Sequence, residues 1–309
     1  MSQFPVDARQ LRALVRHGEL QRVRHGAYAG ALAEEERLRH LQVLAGTWPR
    51  LHSEVIISHA TAAACHGLPL FSDLLTRVWL TRRLGGHGRV TRRLRVSLAE
   101  TAEDEVTSIA GLPVTSLART TLDLARSLPL RRGVAVVDAA LRRGLSRDDL
   151  LALAVRYPRR PGLGRAVRAI GLGDPRSESV GESESRVVLH QLGLPTPTLQ
   201  FEVRAHGVLL GRSDFAWEEH RLLGEFDGRI KYDGLVRPGQ SAADVIMAEK
   251  RREQRLRDAN WWVVRWTYDS LNRPEELART IRAGFQQARA FRALSDSPAW
   301  AEDGQPPAA

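Results

Sequence analysis

The stretch Gly211-Arg-Ser-Asp-Phe-Ala-Trp-Glu-Glu-His-Arg-Leu-Leu-Gly-Glu-Phe-Asp-Gly-Arg-Ile-Lys231 reads as two short strands around a turn. The first carries Asp214 beside Phe215 and Trp217, and the second runs from Leu222 to Asp227. Side chains alternate along a strand, so Glu225 and Asp227 share one face while Phe226 points to the other. Pairing around Glu218 to His220 sets Asp214 alongside Glu225. Acids among large apolar residues are costly to bury unless a cation neutralises them. Hard divalent ions such as Mg²⁺ take carboxylate oxygens in this way. A hairpin with solvated acids is the competing reading.

The flanking sequence extends the pattern. Upstream, Gly181-Glu-Ser-Glu-Ser-Arg-Val-Val-Leu-His-Gln-Leu-Gly-Leu-Pro195 is a helix with an early glutamate, and Gln200 to Arg204 is a strand. Downstream, a helix over Ala243 to Ala259 holds Lys250, Arg251, Arg252, Arg255 and Arg257. Asn260 suits a left-handed stop, and Trp262 to Trp266 is a buried strand. As a set, these elements resemble the PD-(D/E)XK nucleases, in the branch near the very-short-patch repair endonucleases. The match covers roughly residues 177 to 285.

That resemblance implies a restriction-endonuclease-like mixed sheet flanked by helices and a metal-dependent hydrolysis of DNA phosphodiesters. Asp214 and Glu225 would hold Mg²⁺ (or Mn²⁺), with Asp227 in the metal set. Lys231 would stabilise the developing phosphorane charge or position the water. Either Glu182 or Glu184 could face the site, and counting back from Gly193-Leu-Pro as the family pattern runs selects Glu182, acting on the outer shell or as a base. One departure is plain: the family's basic residue after Glu-x is replaced by the acid Asp227. Histidine commonly stands near the Lys231 position in this branch, which makes Lys231 the substitute and Lys250 the runner-up.

At 309 residues the chain has room for two or three domains. Hydrophobic residues make up 43%, and no apolar run approaches the ~18 residues of a membrane span. The start, Met-Ser-Gln-Phe-Pro-Val-Asp, lacks the regions of a signal peptide. The single cysteine, Cys65, excludes an internal disulfide and a cysteine zinc cluster. A cytoplasmic protein without a membrane partner is the expectation. A net charge of +10 and a pI near 10.8 favour polyanion partners.

The N-terminal segment, residues 1–30, supplies a basic helix and a basic hairpin. Asp7 with Gln10 forms a capping box. The helix Ala8 to His17 sets Leu11, Leu14 and Val15 on one side and Arg9, Arg12 and Arg16 on the other, and Gly18 ends it. Two short strands around His25-Gly26 then add Arg22 and Arg24. Recognition helices enter the major groove while wings touch phosphates. An amphipathic cap on the next domain is the bland alternative.

Residues 31–170 form an α/β middle block. A helix spans Ala31 to Trp48, a short one follows Ser58 and closes at Gly67, and strands cover Val78 to Thr81 and Leu94 to Ser97. Helices then start at Thr115 or Ser116, at Arg132 and at Arg147. Arg119 and Asp123, four apart, form a structural ion pair. His59 and His66 lack a third ligand at metal spacing and serve packing or capping. The N-terminal Arg-x-Arg-x-Gly-x-Tyr-Ala, then Ser-His-Ala, His-Gly-Leu-Pro and Val-Thr-Ser-x-Ala-Arg-Thr, resemble the abortive-infection type IV antitoxins. Their N-terminal domain normally carries one or two more helices in front, so the resemblance implies a partial winged helix here. It also implies a cognate toxin as a partner.

The expected α/β protein therefore comprises a partial winged-helix N-terminus, a middle domain to residue 170, a linker over 171–179, a nuclease-like domain over 180–293 and a disordered tail over 294–309. Two functions compete: a DNA endonuclease in a phage-defence, toxin–antitoxin or repair setting, and a non-enzymatic DNA-binding regulator of the antitoxin kind with an inactive nuclease remnant.

Overall fold

In the computed structural model, which describes residues 7–51, 54–83, 87–228 and 242–295, Asp7 opens the first helix. Its side chain accepts the Arg9 and Gln10 N–H groups at 2.7 Å each, and its own N–H donates to Gln10 Oε1 at 3.2 Å. This box starts α1 (Ala8–Arg16), and Gly18 follows its end at φ +76°. A left-handed residue there is readily supplied by glycine. Strands β1 (Gln21–Arg24) and β2 (Ala27–Ala29) make the hairpin.

Helix α2 runs Glu36–Thr47, five residues later than its composition suggests. Its own side chains hold the lead-in extended. Gln42 donates to the Ala31 carbonyl at 2.8 Å and accepts from the Ala33 N–H at 3.0 Å. Arg39 donates to the carbonyls of Ala33 and Glu34. Strand β3 (Val55–Ile57) then leads to α3 (His59–His66). Ser58 occupies the cap position, but its hydroxyl bonds His59 Nδ1 rather than the helix backbone. His66 Nε2 bonds the Thr115 carbonyl at 2.7 Å, a packing role.

Strands β4 (Val78–Arg82), β5 (Arg89–Val90), β6 (Leu94–Leu98), β7 (Val106–Ile109) and β8 (Leu112–Thr115) complete a six-stranded sheet ordered β5-β6-β4-β3-β8-β7. The pairs β4/β6 and β3/β8 are parallel and the rest antiparallel. Its core is Leu44, Val55, Ile57, Val78, Leu80, Val96 and Val114. Four helices follow: α4 (Leu117–Ser127), α5 (Leu130–Arg142), α6 (Arg147–Val155) and α7 (Leu163–Gly171). Ser116 caps α4 through the Arg119 N–H and Ser146 caps α6 through the Asp149 N–H. Sequence periodicity passes over α7, whose start needs Gly162 at φ +80°, pressed against the Arg126 carbonyl.

The chain divides into two compact units, Met1–Gly173 and Asp174–Ala309. The second runs α8 (Val180–Gln191), β9 (Thr198–Ala205), β10 (Val208–Trp217), β11 (Leu222–Phe226), α9 (Ala242–Asp258), β12 (Trp262–Trp266), α10 (Tyr268–Leu271) and α11 (Pro274–Ser295). The strands are ordered β12-β11-β10-β9, with β11 and β12 parallel and the other pairs antiparallel. One face buries Phe215, Trp217, Leu222, Val264 and Trp266 with residues of α8 and α11. The other buries Val203, Ala216 and Leu223 with Leu256 of α9. Asn260, at φ +60°, stops α9 and turns the chain into β12. The protein is thus α/β. Among the described residues no helix is long and apolar enough to cross a membrane. The tail from residue 296 lies outside them.

Candidate active site

Asp214 lies near the end of β10. Phe215 pairs with Gly224, so the same antiparallel register carried one position further sets Asp214 against Glu225. Its Oδ2 accepts the Phe226 N–H at 2.9 Å, which ties the two strands together. Glu182 arrives from the first turn of α8, where the Ser179 hydroxyl accepts its N–H. Only 8% of Glu182 is exposed. Its Oε2 accepts the Glu178 N–H and the Gln200 side-chain amide, both at 2.8 Å.

Gln200 also donates to Asp214 and so links the two acids. Its backbone is left-handed, at φ +53° in the middle of β9, where a non-glycine residue is uncommon. The kink reorients the strand: Leu199 packs against the α8 and α11 core, and Phe201, two residues on, against the α9 core. A regular strand would put both on one face. Sequence reading treats Gln200 as an ordinary strand residue, and no local signal marks it.

Burial pushes the Asp214 carboxyl up to about 6, with Glu182 and Glu225 adding to the effect and the Phe226 and Gln200 bonds opposing it. Desolvation and neighbouring like charges both favour the neutral acid. Near pH 6 the Asp214 carboxyl therefore keeps a proton that an ordinary aspartate has lost. On the α8 side Gly181 lets the helix pack close: a Cβ there would overlap the Phe226 ring, which packs edge-on against Tyr268 at 4.8 Å.

Glu225 has different company. Arg252 of α9 donates to both its oxygens at 2.8 and 2.9 Å, and Arg265 of β12 donates to Oε2 at 3.0 Å. Arg265 is the parallel-strand partner of Glu225. Each arginine is itself held by acids of α9, Arg252 by Glu249 and Arg265 by Glu249 and Glu253. The Arg252 bonds, first among causes, hold the Glu249 carboxyl below the usual range. Asp227, at the exposed end of the strand, donates its N–H to the Trp266 carbonyl. Lys250 is exposed, about 200° around the helix from Arg252. Lys231 lies outside the described residues.

The donor set is oxygen-only and suits a hard cation in kind. In this arrangement, however, Glu225 is turned to its arginines. Among the described residues no three His, Cys, Asp or Glu side chains gather closely enough to hold a metal ion.

In the first unit, Arg9, Arg12 and Arg16 stand exposed along α1, which buries none of its residues. Val15, read as part of the apolar side, is 38% exposed. Arg22 is exposed, whereas Arg24 is half-buried with an Nε that has no hydrogen-bond partner among the described residues. Burial first, then Arg50 and Arg93, pulls the Arg24 guanidinium below its ordinary value. Arg50 also fastens the hairpin turn through the carbonyls of His25 and Gly26.

No protein-family model matches the chain. No solved structure matches it either. Two proteins of Mycobacterium tuberculosis, from strains CDC 1551 / Oshkosh and H37Rv and each described as uncharacterized, are 30% identical to it over 293 residues. Each match spans 91% of this chain and 97% of the relative, so both units are shared. The chain belongs to the family of these two mycobacterial proteins.

Proposed function

We propose that the protein binds DNA and that its second unit is a metal-dependent, PD-(D/E)XK-like endonuclease acting on phosphodiesters. The observation that carries the proposal is the placement of Glu182, Gln200, Asp214 and Glu225 around one end of a four-stranded mixed sheet, with the Asp214 carboxyl pushed up to about 6. Acids crowded in this way are destabilising for a fold and useful for binding a cation or moving a proton. The order helix, three antiparallel strands, helix, parallel strand fits the same reading.

Asp214 and Glu225 would hold Mg²⁺ or Mn²⁺, which supplies a Lewis acid and a water of lowered pKa. The chain's own contribution is positioning. Gln200 holds the Glu182 and Asp214 carboxylates together, and the Phe226 N–H fixes one Asp214 oxygen. Glu182 is placed to accept a proton from a water near Asp214. Among the described residues Arg252 and Arg265 are the cations bonded to Glu225, and they are available to a phosphodiester oxygen if that carboxylate turns away. Arg9, Arg12, Arg16, Arg22 and Arg24 form the DNA-binding surface of the first unit.

The regulator reading has one observation in its favour: Glu225 is satisfied by arginines and needs no metal. A cleavage assay separates the two. Purified protein is expected to nick or cut DNA with Mg²⁺ or Mn²⁺ and to stop in chelator, and Asp214→Asn and Glu225→Gln should each abolish cleavage while DNA binding persists. Intact DNA of every form with wild-type protein and metal would leave the regulator. In either case, Arg9, Arg12 and Arg16 changed together to alanine should lower the slope of log affinity against log salt, by about 0.9 for each phosphate no longer neutralised.

A further inference from the structure

We propose that a cavity in the first unit, beside the buried Arg119, is a binding site for a phosphate group. The cavity measures about 700 Å³. Its lining brings together His59, Asp123, Arg126, Tyr157, Arg159 and Arg160.

Arg119 lies directly behind this wall. It is fully buried and bonds Asp123 through Nε at 2.7 Å, and Glu105 and the Glu100 carbonyl through Nη1. Glu100 and Asp123 both line the cavity. Its remaining nitrogen, Nη2, is buried without a hydrogen-bond partner among the described residues. A buried charged donor left unmatched is costly. Arg119 itself has no exposed surface, so the guanidiniums that can meet a ligand are those of the lining, Arg126, Arg159 and Arg160.

The charge balance has the same sign. One carboxylate, Asp123, serves three guanidiniums: Arg119, Arg126 at 2.8 Å and Arg160 at 3.9 Å. Arg160 stacks on Tyr157 at 3.8 Å, and its guanidinium is pulled below its ordinary value by burial first and then by Arg119 and Arg126. Arg159 is exposed and has no partner among the described residues. The lining as a whole sets four arginines, Arg126, Arg156, Arg159 and Arg160, against the two acids Glu100 and Asp123, with Arg156 also paired to Asp104 outside it. Guanidinium forks match phosphate oxygens bidentately.

His59 completes the site. It is a left-handed residue, at φ +48°, at the first position of α3. Outside glycine that conformation is strained, and such strain concentrates at functional sites. Its Nδ1 is committed to Ser58 and its ring stacks on Trp79 at 5.5 Å. Burial, with Arg119, Arg126 and Arg95 around it, keeps the imidazole pKa below its ordinary value despite Asp123. The ring can then donate or accept a neutral hydrogen bond at the cavity.

The phosphate has two possible sources, a free mononucleotide or the DNA backbone, and one experiment addresses both. Calorimetry of the full-length protein with pyrophosphate, with AMP and with a short DNA duplex is compared with that of Arg159→Glu and of Arg159→Glu/Arg160→Gln. Wild type should bind at least one probe, and the double variant should bind it about tenfold more weakly. Weakening confined to pyrophosphate and AMP assigns the site to a free ligand, and weakening confined to the duplex assigns it to the backbone. Arg159 bonds no other side chain, so the single variant should fold, melt as wild type does and still weaken binding severalfold. Unchanged binding of every probe by the single variant, or no binding of pyrophosphate, AMP or duplex by wild type, overturns the proposal.

Discussion

The two buried acid clusters of this protein are solved in opposite ways. In the first unit, Glu105 and Asp123 are 2% and 3% exposed, and both are matched. Arg119 binds both, Arg126 takes the other Asp123 oxygen, and the Tyr157 hydroxyl donates to Glu105 at 2.7 Å. In the second unit, Asp214 and Glu182 face each other across Gln200 with neutral donors at hand, while the guanidiniums of Arg252 and Arg265 go to Glu225. Matched acids are architecture. Acids held by neutral donors alone are where chemistry is to be sought.

The largest effect should come from breaking the matched cluster. Arg119→Met removes the one guanidinium bonded to both buried acids, leaving Asp123 to Arg126 and Glu105 to the Tyr157 hydroxyl and the more distant Arg156. Removing one member of a buried ion pair typically costs about 3–5 kcal/mol, and urea or guanidinium unfolding of the variant should show a destabilisation of that size. A value below about 1 kcal/mol would mean that water reaches the acids, and that the cluster is not the structural core of its unit.

The unmatched cluster should respond in the other direction. A carboxyl raised to about 6 keeps its proton in the folded protein across a window, from about pH 4 to 6, in which the unfolded chain has released it. Stability contributed by that proton is present below the window and is lost as pH rises through it. Asp214→Asn keeps the acceptor for the Phe226 N–H and removes the ionisation. It should be more stable than wild type by up to about 3 kcal/mol at pH 7 to 8, with the gain gone by about pH 4. Equal stability at both pH values would place the Asp214 carboxyl in the ordinary range.

The two clusters also differ in how far the sequence discloses them. Local signals carry the helix starts: the Asp7 box and Ser146 cap as their spacing predicts, and of the two candidates Thr115 and Ser116 it is Ser116 that caps α4. The acid hairpin is equally legible, because the turn at Glu218 to His220 fixes the register that opposes Asp214 and Glu225. What is not legible is distant in sequence. The cations on Glu225 stand 27 and 40 residues beyond it, and their arrival depends on how α9 and β12 return to the sheet. Gln200 reaches its two acids only through a left-handed kink that its neighbours Leu199 and Phe201 do not announce. Glu105, the second acid on Arg119, is fourteen residues upstream on the far side of β7 and β8. The pair Arg119 and Asp123 could be read from spacing four, but the third member could not.

The smallest change in stability, and the sharpest test of how the two clusters differ, should come from Arg252→Ala. Glu225 is 14% exposed at its side chain and keeps Arg265 when Arg252 is gone, so its charge is not left alone. Arg252 itself is 24% exposed and also bonds Glu249, which would fall back on Arg265. Partly exposed pairs of this kind contribute about 1 kcal/mol or less, and the melting temperature should shift by only a few degrees. Cation affinity should move much more. If Asp214 and Glu225 form a metal site, Arg252 competes with the metal for the Glu225 oxygens, and removing it should tighten Mn²⁺ binding severalfold in calorimetry. If Arg252 instead serves the phosphodiester beside an occupied site, metal affinity stays as it was and cleavage falls. An Arg252→Ala protein that binds no Mn²⁺, with wild type also binding none, would make Glu225 as fully matched as Asp123, and would leave Asp214 and Glu182 as acids bonded by neutral donors.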